Sequence, residues 1–216
     1  MSTTLRFPQG VYGVTPEWDD TDKLIAAITA AAQGGMVALQ WRRKTASAES
    51  GLAQARQVIQ ACKQLNVLSI VNDDWRLATL LDADGVHLGR DDGSLAEARQ
   101  ALGPNKIIGC SCYNQPALAA AALEADVDYI AFGAMYPSSV KPDAVRATLE
   151  HIEAGRMLAE RSHGKPRPAV VAIGGITLEN ASPVIHAGAD SIALISGLFN
   201  SSNIQATAAQ CSALFN

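Results

Sequence analysis

Two short acidic clusters follow two successive apolar stretches of the chain. Asn72, Asp73 and Asp74 come directly after LSIV, and Asp91 and Asp92 come directly after GVHLGR. Two carboxylates close together, without cysteine or histidine partners, suit a hard cation such as Mg²⁺. An aspartate just before a helical segment can also cap that helix. The sequence therefore predicts that Asp73 and Asp92 bind a metal, and that Asp74 and Asp91 cap helices or face solvent.

A basic cluster follows an earlier apolar stretch, in VALQWRRK. With the period of two of a strand, Gln40, Arg42 and Lys44 share one face, and Trp41 and Arg43 point to the other. A single arginine or lysine is often only a solvated surface residue. Arginine can nevertheless hold a phosphate or diphosphate with two parallel hydrogen bonds, and lysine supplies a compact charge. Three donors on one face therefore predict an anionic ligand.

These side chains need a scaffold, and short apolar stretches rich in Val and Ile alternate with longer, alanine-rich segments of helical period. That alternation is typical of βα units with a parallel sheet. The predicted strands are residues 10–15, 36–42, 68–72, 85–89, 107–112, 129–135, 169–175 and 191–196. Because a helical segment follows each of the eight, we predict an α/β fold, a (β/α)8 TIM barrel, with residues 1–216 as a single domain. An open doubly wound sheet is the alternative fold.

In such barrels the active site lies at the C-terminal ends of the strands. The further polar or glycine residues at these predicted ends are Thr15, His87, Gly89, Ser111, Ser138, Ser139, Lys141, Gly174, Gly175, Ser196 and Gly197. Backbone N–H groups after strands 7 and 8 form the usual phosphate site of the fold, so the glycines there predict phosphate binding. A Gly-Gly pair alone would indicate only a turn. For His87, packing or hydrogen bonding and substrate contact stay open.

The charge balance argues against polyanionic partners. The 216 residues include 17 Lys and Arg against 21 Asp and Glu, a net charge of −4, so no global positive field favours nucleic acid or an anionic membrane.

No apolar stretch is long enough for a membrane span, and the first residues lack the apolar core of a signal peptide. We expect a cytoplasmic protein with small-molecule partners, four cysteines that are buried free thiols, and no membrane contact. Whether copies of the chain form a homo-oligomer stays open.

Several motifs, in order and at the expected barrel positions, resemble the thiamine phosphate synthase (thiamine-phosphate pyrophosphorylase) family. The motifs are LQWRRK, NDDWRLATLLDADGVHLGRDD, IGCSC, YIAFGAMYPSSVK, AIGGI and ALISG, which together span nearly the whole chain. The resemblance implies a transferase that joins 4-amino-2-methyl-5-pyrimidinylmethyl diphosphate to 4-methyl-5-(2-phosphoethyl)thiazole, giving thiamine phosphate and pyrophosphate. In that family Mg²⁺ holds the leaving diphosphate, and the pyrimidine departs as a stabilised carbocation before the thiazole nitrogen captures it.

The resemblance also implies residue roles. It assigns the pyrimidine substrate or its diphosphate to Gln40, Arg42, Lys44 and Asn72, Mg²⁺ to Asp73 and Asp92, the reaction centre and diphosphate to Ser111 and Lys141, and the thiazole phosphate to Ser138, Gly175, Ile195 and Ser196. Arg42, Ser111 and Lys141 are the expected catalytic groups.

The chain departs from the family pattern Pro-Thr-x-Thr-Lys in one loop. Here PSSVK has Ser138 in place of the first threonine and Val140 in place of the second, and Ser139 carries a hydroxyl that could substitute.

Two other functions are alternatives to the synthase. A thiazole tautomerase-like barrel would not need the diphosphate and Mg²⁺ groups, and a non-catalytic phosphate-binding barrel would leave the paired carboxylates unexplained.

Overall fold

Eight parallel strands close into a barrel in chain order, β1 to β8, in a computed structural model that describes residues 4–137, 144–162 and 166–216. The strands are Gly10–Val14 (β1), Met36–Trp41 (β2), Leu68–Asn72 (β3), Gly85–Leu88 (β4), Ile107–Tyr113 (β5), Tyr129–Phe132 (β6), Ala169–Ile173 (β7) and Ser191–Leu194 (β8). The helices in the described ranges are Thr21–Gln33 (α1), Ala48–Leu65 (α2), Trp75–Leu80 (α3), Leu95–Leu102 (α4), Pro116–Glu124 (α5), Leu149–Arg161 (α6), Ala181–His186 (α7), Ser196–Phe199 (α8) and Ile204–Ala213 (α9). The predicted (β/α)8 barrel is confirmed.

Successive side chains of each strand point to opposite faces, and both faces are buried, as is typical of a closed parallel sheet surrounded by helices. Inward-facing residues form one apolar cluster in the lumen, which includes Phe7, Tyr12, Ile70, Tyr129 and Val171. Outward-facing residues form the larger cluster, between the strands and the helices. Cys62, Cys112 and Cys211 are buried free thiols, and Cys110 is only partly buried. None of the described helices is long and apolar enough to cross a membrane.

Polar side chains begin the helices that follow the acidic clusters. The Asp74 carboxylate accepts the backbone N–H groups of Arg76 and Leu77 and caps α3, as predicted. Of the two alternatives predicted for Asp91, the structure shows the second, because Asp91 is exposed. Ser94 is the N-cap of α4, and its hydroxyl accepts the N–H of Glu97.

Several predicted strands extend too far at their carboxyl ends. Strand β6 ends at Phe132 rather than at residue 135, β7 at Ile173 rather than 175, and β8 at Leu194 rather than 196. Met135 after β6 and Ile195 after β8 also pack in or against the core, so hydrophobicity does not mark the boundary there. The short helix α8, which begins at Ser196, was not predicted as a separate element.

Gly109 on β5 has no room for a side chain, because an added Cβ would lie 1.9 Å from Cζ of Tyr129. Gly109→Ala must push that ring out of its place in the lumen, and we expect a loss of about 3 kcal/mol in the free energy of unfolding. Gly51→Ala in α2 is the control, since its Cβ would meet ordinary contacts at 3.7 Å. Urea unfolding of both variants checks this, and equal losses would contradict it.

Candidate active site

A cavity of about 500 Å³ opens at the carboxyl ends of the strands, where the sequence places the chemistry-bearing residues. The predicted site residues that line it are Gln40, Arg42, Lys44, Asn72, Asp73, Asp92, Ser111 and Ile195. Gly175 and Ser196 do not line it, although their neighbours Gly174 and Ile195 do. Ser138, Ser139 and Lys141 lie outside the described residues, so their placement stays a prediction.

Asp73 and Asp92 meet at one edge of the cavity. Asp73 adopts a left-handed backbone conformation (φ 66°), which aspartate tolerates better than most residues, and its N–H donates to the His87 carbonyl at 2.8 Å. The Asp92 carboxylate accepts the N–H of Gly89 at 2.7 Å. The two carboxyl groups are close enough to share a hydrogen bond. The turn after β3 and the loop after β4 therefore bring the two predicted metal ligands together.

The surroundings of Asp73 and Asp92 shift the pKa values of the two carboxyl groups in opposite directions. Burial opposes ionisation of Asp73, but the hydrogen bond and charge of Lys44, whose Nζ lies 2.6 Å from Asp73 Oδ2, hold the pKa of Asp73 below its usual value. Burial raises the pKa of Asp92, and the neighbouring Asp73 carboxyl raises it further. The pair thus carries negative charge that one ammonium group neutralises only in part.

This donor set fits a hard divalent cation. Both groups supply carboxylate oxygens, the ligands that Mg²⁺ prefers, and a cation of charge two would relieve the repulsion that raises the pKa of Asp92. No group of three or more histidine, cysteine or acidic side chains that could hold a metal occurs within the described ranges. Two carboxylates are sufficient for a Mg²⁺ that keeps waters and takes other ligands from substrate phosphates.

The basic face of the cavity is held by the loop after β1. Glu17 Oε1 accepts the N–H of Lys44 at 3.0 Å and contacts Arg42 Nη1 at 3.2 Å. Thr15 exchanges two hydrogen bonds with the backbone of Arg42, at 2.8 and 3.0 Å. Burial would raise the pKa of Glu17, but the N–H groups of the Lys44 segment and the Arg42 charge lower it overall, so this carboxylate stays ionised. Glu17 was not singled out from the sequence, because its role depends on a loop that lies about 25 residues away.

The alternation predicted around Arg42 is confirmed. Gln40, Arg42 and Lys44 all line the cavity. Arg43 points away from it and binds the Trp18 carbonyl, Asp19 and Gln54, and Trp41 packs in the outer cluster. The end of β2 and the residues just after it therefore supply three donors to the cavity and two side chains that pack or bind behind it.

Below the mouth, five polar side chains are hydrogen-bonded in series across the lumen. Gln40 Nε2 donates to Tyr12 Oη at 2.8 Å, Tyr12 Oη lies 2.8 Å from Tyr129 Oη, Tyr129 Oη lies 2.9 Å from His87 Nδ1, and His87 Nε2 lies 2.8 Å from Ser111 Oγ. His87 is thus a hydrogen-bonding residue, and because it also lines the cavity, its contact with substrate stays a prediction. Tyr12 and Tyr129 were missed, although both sit on the inward face of predicted strands.

Close backbone approach explains the glycines after β7 and β8. A Cβ on Gly175 (φ 65°) would lie 2.4 Å from the Pro137 carbonyl oxygen, and a Cβ on Gly197 would lie 2.3 Å from that of Ile176. The loops after β6, β7 and β8 are therefore in contact. Ser196 begins α8, and the first N–H groups of a helix have no acceptor within it.

Further lining residues come from positions with no polar pattern. Arg90 lies over the ring of Tyr113 at 5.2 Å, beside Asp92. The apolar wall is formed by Val14, Ala131, Val145, Val171, Ile173 and Ala193, with small residues at Gly133, Ala134 and Ala144. From the sequence alone, the apolar residues of this wall would be assigned to the core. Closure of the barrel is what places them on the cavity.

The chain matches known proteins over nearly its whole length. The family model described as thiamine monophosphate synthase matches residues 11–198. The thiamine-phosphate synthase of Bordetella avium is 55% identical over 213 residues, 98% of this chain and 97% of that protein. That of Methylobacillus flagellatus is 49% identical, covering 96% of each chain. The thiamine phosphate pyrophosphorylase structure from Pyrococcus furiosus superposes with a TM-score of 0.80 at 29% identity, covering 97% of this chain and 96% of that one.

Proposed function

The chain belongs to the thiamine monophosphate synthase family and is a transferase, and we propose that it catalyses a Mg²⁺-dependent reaction between a pyrimidine diphosphate and a thiazole phosphate. The 4-amino-2-methyl-5-pyrimidinylmethyl group passes from its diphosphate to the ring nitrogen of 4-methyl-5-(2-phosphoethyl)thiazole. Thiamine phosphate and pyrophosphate are the products. The observation that carries this proposal is the pair Asp73 and Asp92 on the same cavity as Arg42 and Lys44.

Departure of the diphosphate is the step that this arrangement favours. The bond between the methylene carbon and the diphosphate oxygen breaks, and negative charge grows on the leaving oxygen. Mg²⁺ held by Asp73 and Asp92 would neutralise part of that charge when bound. Arg42 and Lys44 supply fixed positive charge on the same cavity, so the leaving group meets donors that need no reorganisation. No protein nucleophile is required.

The remaining predicted residues divide between the two substrates. Gln40, Asn72 and Ser111 line the cavity and provide amide and hydroxyl groups for the pyrimidine. We assign the thiazole phosphate to Gly175, Ile195 and Ser196, with Ser138 and Ser139 as further predicted contacts, and the reaction centre and diphosphate to Lys141 together with Ser111. The apolar wall suits the methyl groups and ring faces of both substrates. A volume of about 500 Å³ lies within the range of small-molecule sites.

The two other functions fit the cavity less well. A tautomerase transfers a proton and has no use for Asp73 and Asp92 beside Lys44. A non-catalytic phosphate site accounts for the glycines after β7 and β8, but not for two carboxylates on the wall of the same cavity.

The direct test is incubation of the purified protein with both substrates. We expect thiamine phosphate and pyrophosphate in equal amounts with Mg²⁺, and neither product after EDTA treatment until Mg²⁺ is restored. Omission of either substrate is the control. No thiamine phosphate in the presence of Mg²⁺ would reject the proposal, and unchanged turnover after EDTA would reject its metal requirement.

A further inference from the structure

Positively charged side chains reach the cavity from both sides of β3. Strands β2, β3 and β4 are neighbours in the barrel. Arg42 and Lys44 follow β2, and Asp73 follows β3. Arg90 and Asp92 follow β4, and all five side chains line the same cavity. The two carboxylates therefore have basic residues on either side of them in the order of the barrel.

Tyr113 holds the Arg90 guanidinium on the β5 side of the carboxylate pair. Tyr113 is the last residue of β5, and Arg90 Cζ lies 5.2 Å from the centre of its ring. The backbone of Tyr113 is left-handed (φ 53°), a conformation that costs free energy in an aromatic residue and is concentrated at functional sites. Gly89 completes this corner, because an added Cβ would lie 2.8 Å from Asp92 Oδ2 and 3.4 Å from Tyr113 Oη.

The charge of Arg90 is not used by another residue. Arg42 Nη1 lies 3.2 Å from Glu17 Oε1, and Lys44 Nζ lies 2.6 Å from Asp73 Oδ2. The Arg90 side chain lies over Tyr113 and makes no ion pair with any residue in the part of the chain that the structure describes. A guanidinium group that stacks on an aromatic ring keeps its N–H donors free at the edge, which suits phosphate recognition.

We propose that Arg90 is a further cationic ligand of the diphosphate, and that Tyr113 is the positioning residue that holds it. This inference rests on the proposed function for its ligand. A diphosphate has two phosphoryl groups, and cations on both sides of the carboxylate pair provide donors for each of them. Arg90 binds the diphosphate of the substrate and the released pyrophosphate alike. Its contribution is therefore to affinity, with little effect on kcat.

A second arginine of the chain stacks on an aromatic ring without reaching the cavity. Arg76 Cζ lies 4.1 Å from the centre of the Trp75 ring, and Arg76 is exposed and does not line the cavity. Arg76 and Arg90 thus share their charge, their exposure and their stacking on a ring. Only Arg90 shares a cavity with Asp73 and Asp92, so Arg76→Gln is the matched control for Arg90→Gln.

The first test is calorimetric binding of inorganic pyrophosphate in the presence of Mg²⁺, which needs no turnover. Arg90→Gln is expected to weaken binding by about tenfold, the effect of one lost hydrogen-bonding partner of a charged group. Arg90→Lys should recover part of the loss, because it keeps the charge but not the fork of donors. Arg76→Gln should stay within about twofold of the wild type. Equal affinities of Arg90→Gln and the wild type would overturn the proposal.

The positioning role of Tyr113 is tested in the same way. Tyr113→Leu removes the ring beneath Arg90 and is expected to weaken pyrophosphate binding by about threefold, as loss of an exposed cation–π contact would. Tyr113→Phe keeps the ring and should recover most of that affinity. Equal losses in both variants would show that the hydroxyl group matters and the ring does not, and would reject this role. So would a Tyr113→Leu variant that binds as the wild type does.

The second test is steady-state kinetics with both substrates. In Arg90→Gln, the KM for the pyrimidine diphosphate is expected to rise about tenfold, while the KM for the thiazole phosphate and kcat stay within about threefold of the wild type. Equal rises in both KM values would indicate a general change of the cavity and overturn the assignment. If the wild type makes no thiamine phosphate, the proposed function fails, whereas calorimetry still decides whether Arg90 binds the anion.

Discussion

Asp73→Asn is expected to lower kcat/KM for thiamine phosphate formation by about 1000-fold or more, with little change in the free energy of unfolding. The side chain keeps its size, but one of the two carboxylates assigned to the metal loses the charge that would bind Mg²⁺ and fix the leaving diphosphate. Lys44 also loses its partner at 2.6 Å. Steady-state kinetics over a range of Mg²⁺ concentrations measures the effect. Asp92→Asn is expected to act in the same direction and to raise the Mg²⁺ concentration needed for half-maximal rate.

The neighbouring carboxylate provides the matched control. Asp74→Asn removes the same charge one residue away, and asparagine caps a helix about as well as aspartate, so α3 should keep its first turn. We expect its kcat/KM to stay within about threefold of the wild type. Similar losses in Asp73→Asn and Asp74→Asn would mean that the acidic cluster acts through the turn after β3 and not through a metal.

Elements with a local signal could be predicted from the sequence. The run LSIVN becomes β3 because its three apolar residues, Leu68, Ile70 and Val71, pack in the core. The period of two in QWRRK places Arg42 on the cavity and Arg43 behind it. The position of Asp73 follows from the rule that barrel sites lie at strand ends. Each of these inferences depends on residues within a few positions of one another.

Features that depend on distant pairs were not predictable in the same way. Tyr12 and Tyr129 are 117 residues apart, and their hydrogen bond exists only because eight strands close on one another. Glu17 supports Arg42 from another loop, and Ser94 displaces Asp91 as helix cap by a small shift in where α4 begins. Apolar residues such as Val171 face both the lumen core and the cavity, a distinction that hydrophobicity cannot make.

The opposite end of the barrel holds the contact with the largest expected effect on stability. Asp190, just before β8, binds Arg167 through both oxygens at 2.7 and 3.0 Å and accepts the N–H of Val170 at 2.8 Å. Arg156 lies 3.0 Å from the same carboxylate. Arg167 is only 5% exposed, so its charge depends on this partner. The four groups connect the start of β7 to the start of β8, on the side away from the cavity.

Asp190→Ala is therefore expected to lower the free energy of unfolding by about 3 to 5 kcal/mol, because it leaves the Arg167 charge buried without a counter-charge. Urea unfolding followed by two probes measures the loss. Glu160→Ala is the control, since its exposed pair with Arg156 should contribute less than about 1 kcal/mol. The double variant Arg167→Met, Asp190→Leu should recover part of the loss, because no unpaired charge remains. If Asp190→Ala cost no more than Glu160→Ala, the buried pair would not be what holds β7 and β8 together at this end. Below its unfolding temperature, Asp190→Ala should keep the kcat/KM of the wild type, because the cavity is built at the other ends of the same strands.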